Sequence, residues 1–151
     1  MKRVLIVFHT QSGATEKMAA AVAEGVKEEP EVECVIKRAY EAGLQDLISC
    51  DGLLLGSPEN FGYLSGGMKD FFDRTFYPSQ EYQLNLPYGL FISAGNDGRG
   101  AVRQVERIVP GYPLKKVMEP LIVRGEPDPA ALSRCRELGQ TLAAGVGMGI
   151  F

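Results

Sequence analysis

The sequence predicts a three-layer α/β sandwich: a five-stranded parallel sheet of order 2-1-3-4-5 with helices on both faces. Three observations predict it. Short apolar runs alternate with helical stripes along all 151 residues, the pattern of strands joined by crossover helices. The first, third and fourth runs are apolar almost throughout, as strands covered on both faces must be. The second carries alternating charge and the fifth contains Pro120, features suited to sheet edges.

Each element has its own local reason. Strand one is Val4 to Phe8, and the helix after it places Ala14, Met18, Val22 and Val26 on one face by four-residue spacing. Strand two is EVECVIK, in which Val32, Cys34 and Ile36 alternate with charged residues. A short helix around Leu44, Leu47 and Ile48 leads to strand three, DGLLLG. Helix three carries Met68, Phe72 and Phe76 on one stripe, and strand four is YGLFIS. Helix four begins near Asp97 and turns Val102, Val105 and Val109 inward; strand five lies in VMEPLIV. The last helix opens at Asp128–Pro129, a cap followed by proline at the first position, and buries Ala131, Cys135, Leu138 and Leu142. With strands two and five at the edges, right-handed crossovers leave 2-1-3-4-5 as the natural order. That order puts a topological switch point between strands one and three, where ligands bind at the carboxyl ends. We expect a single domain over residues 1–151, with 144–151 as a tail or a subunit contact.

Composition narrows the function. The net charge of −3 offers no broad basic surface for nucleic acid. The opening apolar run stops short of the roughly 7–15 residues of a secretory core, and no run reaches the ~18 of a membrane span, so a cytoplasmic location is expected. Three cysteines, one histidine and no CxxC argue against a metal site and a disulfide framework. Cys34, Cys50 and Cys135 are expected as small core residues.

Three loops leave the ends of strands one, three and four. HTQSGAT combines Gly13, which permits a tight turn, with the hydroxyls of Thr10, Ser12 and Thr15 and the free amides of a helix start; together these bind an anion without a formal charge. SPENFGYLSGG, Ser57 to Gly67, is longer than the two to six residues usual for such a connection. Its Phe61 or Tyr63 offers a face to a planar ring, with Gly62 permitting close backbone approach. SAGNDGRG, Ser93 to Gly100, exposes amides suited to the polar edge of a heterocycle.

The first loop has no lysine for a triphosphate cradle and no GxGxxG for a dinucleotide. It also lacks the nucleophilic cysteine and arginine of a small tyrosine phosphatase, and the carboxylates of a receiver domain. What remains is a neutral nest for one phosphate monoester. In this, Thr10-Gln11-Ser12-Gly13-Ala14-Thr15 resembles the flavin mononucleotide (FMN) phosphate loop of the flavodoxin-like superfamily. GSPENFGYLSGGMKDFFDR is similar to the isoalloxazine loop and following helix of NAD(P)H-dependent quinone and flavin reductases, the group that includes the tryptophan-repressor-binding proteins. EPLIVRGEP is similar to their fifth-strand segment.

The resemblance spans residues 3 to about 143. It implies that Thr10, Gln11, Ser12, Gly13, Ala14 and Thr15 hold the phosphate, that Pro58, Glu59, Asn60, Phe61 and Gly62 lie along the ring, and that Ser93, Ala94, Gly95, Asn96, Asp97 and Gly98 meet its pyrimidine edge or second face. It implies FMN as cofactor and NAD(P)H as electron donor, with hydride passing through the flavin to a quinone, a flavin or a similar small acceptor. The alternative it implies is a flavodoxin-type carrier shuttling electrons between protein partners. The chain has no tryptophan and no aromatic residue in the third loop, so one ring face stays open, which favours the enzyme. No catalytic acid or base is expected: His9 is read as a hydrogen-bonded spacer, and Arg99 and Arg103 as solvated helix charges. A homodimer is the expected assembly.

Overall fold

Along β1 (Lys2–Phe8) successive side chains enter two different cores, and this alternation organises the molecule. Val4, Ile6 and Phe8 face one cluster with Met18, Val22, Cys135 and Leu142. Leu5 and Val7 face the other with Leu47, Met68, Phe72 and Val105. A strand apolar at every position from Val4 to Phe8 therefore needs helices on both sides of it. The computed structural model describes residues 1–151 and supplies them: α1 (Ala14–Val26) and α5 (Pro129–Gly147) on one face, α2 (Leu44–Ser49), α3 (Gly66–Ser79) and α4 (Arg99–Ile108) on the other.

The central strands are β1, β3 (Gly52–Asn60) and β5 (Leu86–Ala94), flanked on one side by β2 (Val32–Arg38). The sheet has seven strands, five along the path β2-β1-β3-β5-β6 and two off it, in place of the expected five in the order 2-1-3-4-5. Two local features cause the difference. A short strand β4 (Tyr63–Leu64) folds back antiparallel on β3, pairing Glu59 with Leu64 and Asn60 with Tyr63. The far edge is broken into β6 (Leu114–Lys116), beside the start of β5, and β7 (Leu121–Arg124), beside its end. Pro120 stands in the break, where its missing N–H removes no ladder bond.

The last residues are not a frayed tail from 144 onward. Helix α5 continues to Gly147, and its end is closed by bonds from Gly149 N–H to Val146 O (3.1 Å) and from Ile150 N–H to Gly145 O (2.9 Å). This is a Schellman arrangement, and it turns Phe151 back against the α1–α5 core. No helix is long and apolar enough to cross a membrane.

Candidate functional site

The carboxyl ends of β1, β3, β5 and β7 form one rim, and a cleft of about 280 Å³ opens there. It is bounded by Gln11, Ser12 and Ala14 from the first loop, Pro58, Glu59 and Asn60 from the second, and Ser93, Ala94 and Gly95 from the third. A fourth segment, Gly125–Glu126 after β7, completes it. In the sequence that segment stood out only as part of the fifth-strand resemblance of EPLIVRGEP, with no place at the rim assigned to it.

The three hydroxyls of the first loop have separate fates. Thr10 Oγ1 accepts the Gly13 N–H at 2.9 Å and closes the turn. Thr15 is buried, and its hydroxyl meets that of Ser93 at 2.7 Å, tying the first loop to the third. Ser12 is exposed on the cleft. Gly13 precedes α1 with φ 103°, a conformation that costs any other residue about 1–2 kcal/mol.

The N-terminus of α1 stands apart from those of the other long helices. Ser65 Oγ accepts from Met68 N–H at the start of α3, and Asp128 accepts from Ala131 N–H at the start of α5. At α4, Glu59 reaches across from β3 to accept from Gly98 (3.2 Å), Gly100 (3.0 Å) and Ala101 (3.4 Å) N–H groups. No side chain caps α1. Ala14 at its start lines the cleft, and the charges nearby are already paired: Glu16 with Arg38 at 2.7 Å, and Glu126 with Lys17. The strongest unanswered electrostatic feature at this end is thus the positive end of the helix.

The second loop is a β-hairpin rather than an irregular connection. Ser57 anchors its base: its Oγ accepts from Ser65 N–H at 3.0 Å and donates to Pro58 O at 2.8 Å, with both serines fully buried. At the tip, Phe61 and Gly62 have φ of 55° and 69°, the signs a two-residue type I′ turn requires. Phe61 is 106% exposed, so a strained aromatic stands free beside the cleft. The tip rests on the first turn of α4, where a side-chain carbon on Gly100 would lie 1.9 Å from Gly62 O.

Among the other expected residues, Asn96 and Asp97 are exposed, and Asp97 accepts from Arg99 N–H at 3.1 Å. Gly98 is buried at the α4 cap. Gly62, Phe61 and residues 96–98 flank the cleft without lining it. His9 is a packed spacer but not a hydrogen-bonded one: its ring lies on Gly67 and edge-on to Tyr40, 5.5 Å between centroids, and only its backbone N–H is bonded, to Gly56 O at 3.0 Å. The cysteines take no part in the rim: burial pushes the Cys50 thiol up to about 12 and the Cys135 thiol to about 11. The structural roles of Ser57, Ser65 and Glu59 were missed. Only Ser65 had a sequence signal, as a serine three residues before an apolar helical position.

A parallel sheet with helices on both faces and a cleft at the carboxyl ends of its central strands is the flavodoxin-like fold, and solved structures agree on it. A flavodoxin from the domain Archaea superposes with a TM-score of 0.85 at 22% identity, over 95% of this chain and 98% of that one. A flavodoxin, WrbA-like protein from Agrobacterium tumefaciens gives 0.84 at 19%, over 98% and 99%. Residues 3–118 match the NADPH-dependent FMN reductase family, and the chain belongs to it. Curated relatives include a flavodoxin of Aquifex aeolicus (strain VF5), 44% identical over 73 residues, which are 48% of this chain and 40% of that protein. An NAD(P)H dehydrogenase (quinone) of Acidithiobacillus ferrooxidans (strain ATCC 53993 / BNL-5-31) is 31% identical over 121 residues, 66% of this chain and 60% of that protein. The chain spans about half the length of the curated relatives it matches.

Proposed function

We propose that this chain binds FMN at the rim and catalyses NAD(P)H-dependent reduction of a quinone, a flavin or a similar small acceptor. The observation that carries the reading is the uncapped start of α1, set in the same cleft as the exposed hairpin. The first-turn amides of α1 and the Ser12 hydroxyl would hold the phosphate monoester, with Thr10 and Gly13 shaping the turn and Thr15 bracing it through Ser93. Pro58 to Gly62 would lie along the ring and Ser93 to Gly98 along its polar edge. A bound FMN supplies two-electron redox chemistry between donor and acceptor. The protein's part is to orient the ring and leave one face open, since no aromatic residue opposes Phe61 from the third loop.

No acid or base is assigned. Glu59 and Glu126, the carboxylates lining the cleft, are engaged with backbone amides and with Lys17. Family membership and the NAD(P)H dehydrogenase (quinone) relatives support an enzyme. We place it in the cytoplasm as a homodimer, the latter checked by sedimentation equilibrium. The principal test is to titrate the purified protein with FMN, following quenching of flavin fluorescence, and then to add NADPH without oxygen. Micromolar uptake and prompt bleaching of the yellow colour are expected. A protein that takes up no FMN overturns the reading; one that takes it up but is not reduced by NADH or NADPH is a carrier instead.

A further inference from the structure

A second concavity, of about 610 Å³, lies between α3 and α4. It is lined by Tyr63, Phe72, Phe76, Tyr77, Gln104 and Arg107, among others. It adjoins the rim, because Tyr63 directly follows the hairpin tip and the tip itself rests on α4. Its size falls within the roughly 300–1,000 Å³ of small-molecule sites. Tyr77 is 82% exposed at its lip.

The charges around this groove are unequal. On α3, Lys69 is paired with Asp73 and Arg74 with Asp70, each at 2.7 Å. On α4, Arg99, Arg103 and Arg107 follow one another at four-residue spacing, all exposed, and none has a carboxylate in ion-pair range. The spacing keeps them in one row about 12 Å long at 1.5 Å per residue, starting beside the third loop at Arg99, which lines a neighbouring concavity with Val102 and Ile122, and ending at Arg107, which lines the groove. Guanidinium groups match phosphate oxygens in paired hydrogen bonds. Tyrosine faces suit a purine ring, and the Gln104 amide both donates and accepts as a purine edge requires.

We propose that the α3–α4 groove binds the adenosine 2′-phosphate end of NADPH, with Arg107 on the 2′-phosphate, Tyr77 against the adenine, and Arg99 and Arg103 along the pyrophosphate. The proposal rests on the flavin reading of the rim, which gives the nicotinamide end its destination. It assigns solvated arginines a ligand, and it makes this row the origin of a preference for NADPH over NADH.

The test is calorimetric titration of the FMN-loaded protein with adenosine 2′,5′-bisphosphate, with AMP as the comparison. The bisphosphate is expected to bind more tightly than AMP. Arg107→Gln should weaken it about tenfold, as loss of a charge-assisted hydrogen bond implies, and Tyr77→Ser should weaken both nucleotides. FMN affinity, read separately by fluorescence quenching, should be the same in all three proteins. Equal bisphosphate affinity in wild type and Arg107→Gln overturns the proposal, as does no binding to the wild type at millimolar concentration. Binding of poly-L-glutamate without binding of the bisphosphate overturns it in favour of an acidic protein partner. Failure of the protein to take up FMN is a different result, and it defeats the flavin reading itself.

Discussion

Thr15 and Ser93 meet through one buried pair of hydroxyls, 2.7 Å apart and 78 positions apart in the chain. Changing Thr15→Val removes the partner of the buried Ser93 hydroxyl, a loss of about 1–3 kcal/mol. Replacing both, as Thr15→Val with Ser93→Ala, should recover most of that loss, because neither group is then left unpaired. Urea denaturation of the two single variants and the double variant measures the coupling. Phe61 presents the opposite balance. Its ring gains nothing from the fold while its backbone sits at φ 55°, so Phe61→Gly should raise stability by about 1 kcal/mol. The same change should weaken FMN binding by up to about tenfold through loss of stacking. A variant that is no more stable, or that binds FMN as well as wild type, contradicts this account of the tip. Both residues were legible as members of the rim from their loops. That one is a buried brace and the other a free face depends on partners far along the chain.

At the scale of elements, the hairpin and α4 are fastened by Glu59, whose carboxylate takes three amides of the α4 start. Glu59→Ala should cost about 1–2 kcal/mol, the range for a helix cap reinforced by its dipole. It should also loosen the tip enough to weaken flavin binding. Denaturant melts and flavin titration read the two effects separately; a stability loss with undiminished flavin affinity would show that the hairpin stands without its fastening. The helices themselves were readable because a four-residue apolar spacing needs only local information. The hairpin was not: β4 has two residues, too few for any alternation to register, and it exists because β3 overshoots its parallel partners. The split edge was half-readable. Pro120 marked the edge, yet only the pairing with β5 shows that the strand stops on one side of it and restarts on the other.

At the scale of the molecule, two sealed cores fix the behaviour of Cys50 and Cys135, while Cys34, expected in the core, is only half-buried on β2. Burial lifts Cys50 from 9.0 to about 12 and Cys135 from 9.0 to about 11. Below 9.0 folded and unfolded chains both keep these protons, so the thiols impose no pH dependence. Above it the unfolded chain releases protons that the folded chain retains, and stability declines with a slope approaching 1.4 kcal/mol per pH unit for each thiol, until the folded values are passed. Thermal melts between about pH 8 and about pH 10 should show the decline, and Cys50→Ala should reduce its slope. An unchanged slope in that variant would assign the decline to other groups. The same cores explain why the fold class was visible early: both faces of β1, β3 and β5 are written into one sequence as unbroken apolar runs.

By itself the sequence determined the alternation of strands and helices, the central and edge strands, the absence of a charged phosphate cradle, and the three loops that share a rim. Those properties follow from periodicity and residue type, which act over a few neighbours. Tertiary structure alone decided which hydroxyl faces the cleft and which is spent on bracing, that Glu59 caps a helix 39 to 42 residues away, that Gly125–Glu126 closes the rim, and that Arg107, the last of three spaced arginines on α4, lines an aromatic groove. The reason is physical. A hydrogen bond or an ion pair is made within about 3 Å, and only the folded chain brings groups so distant in sequence to that range.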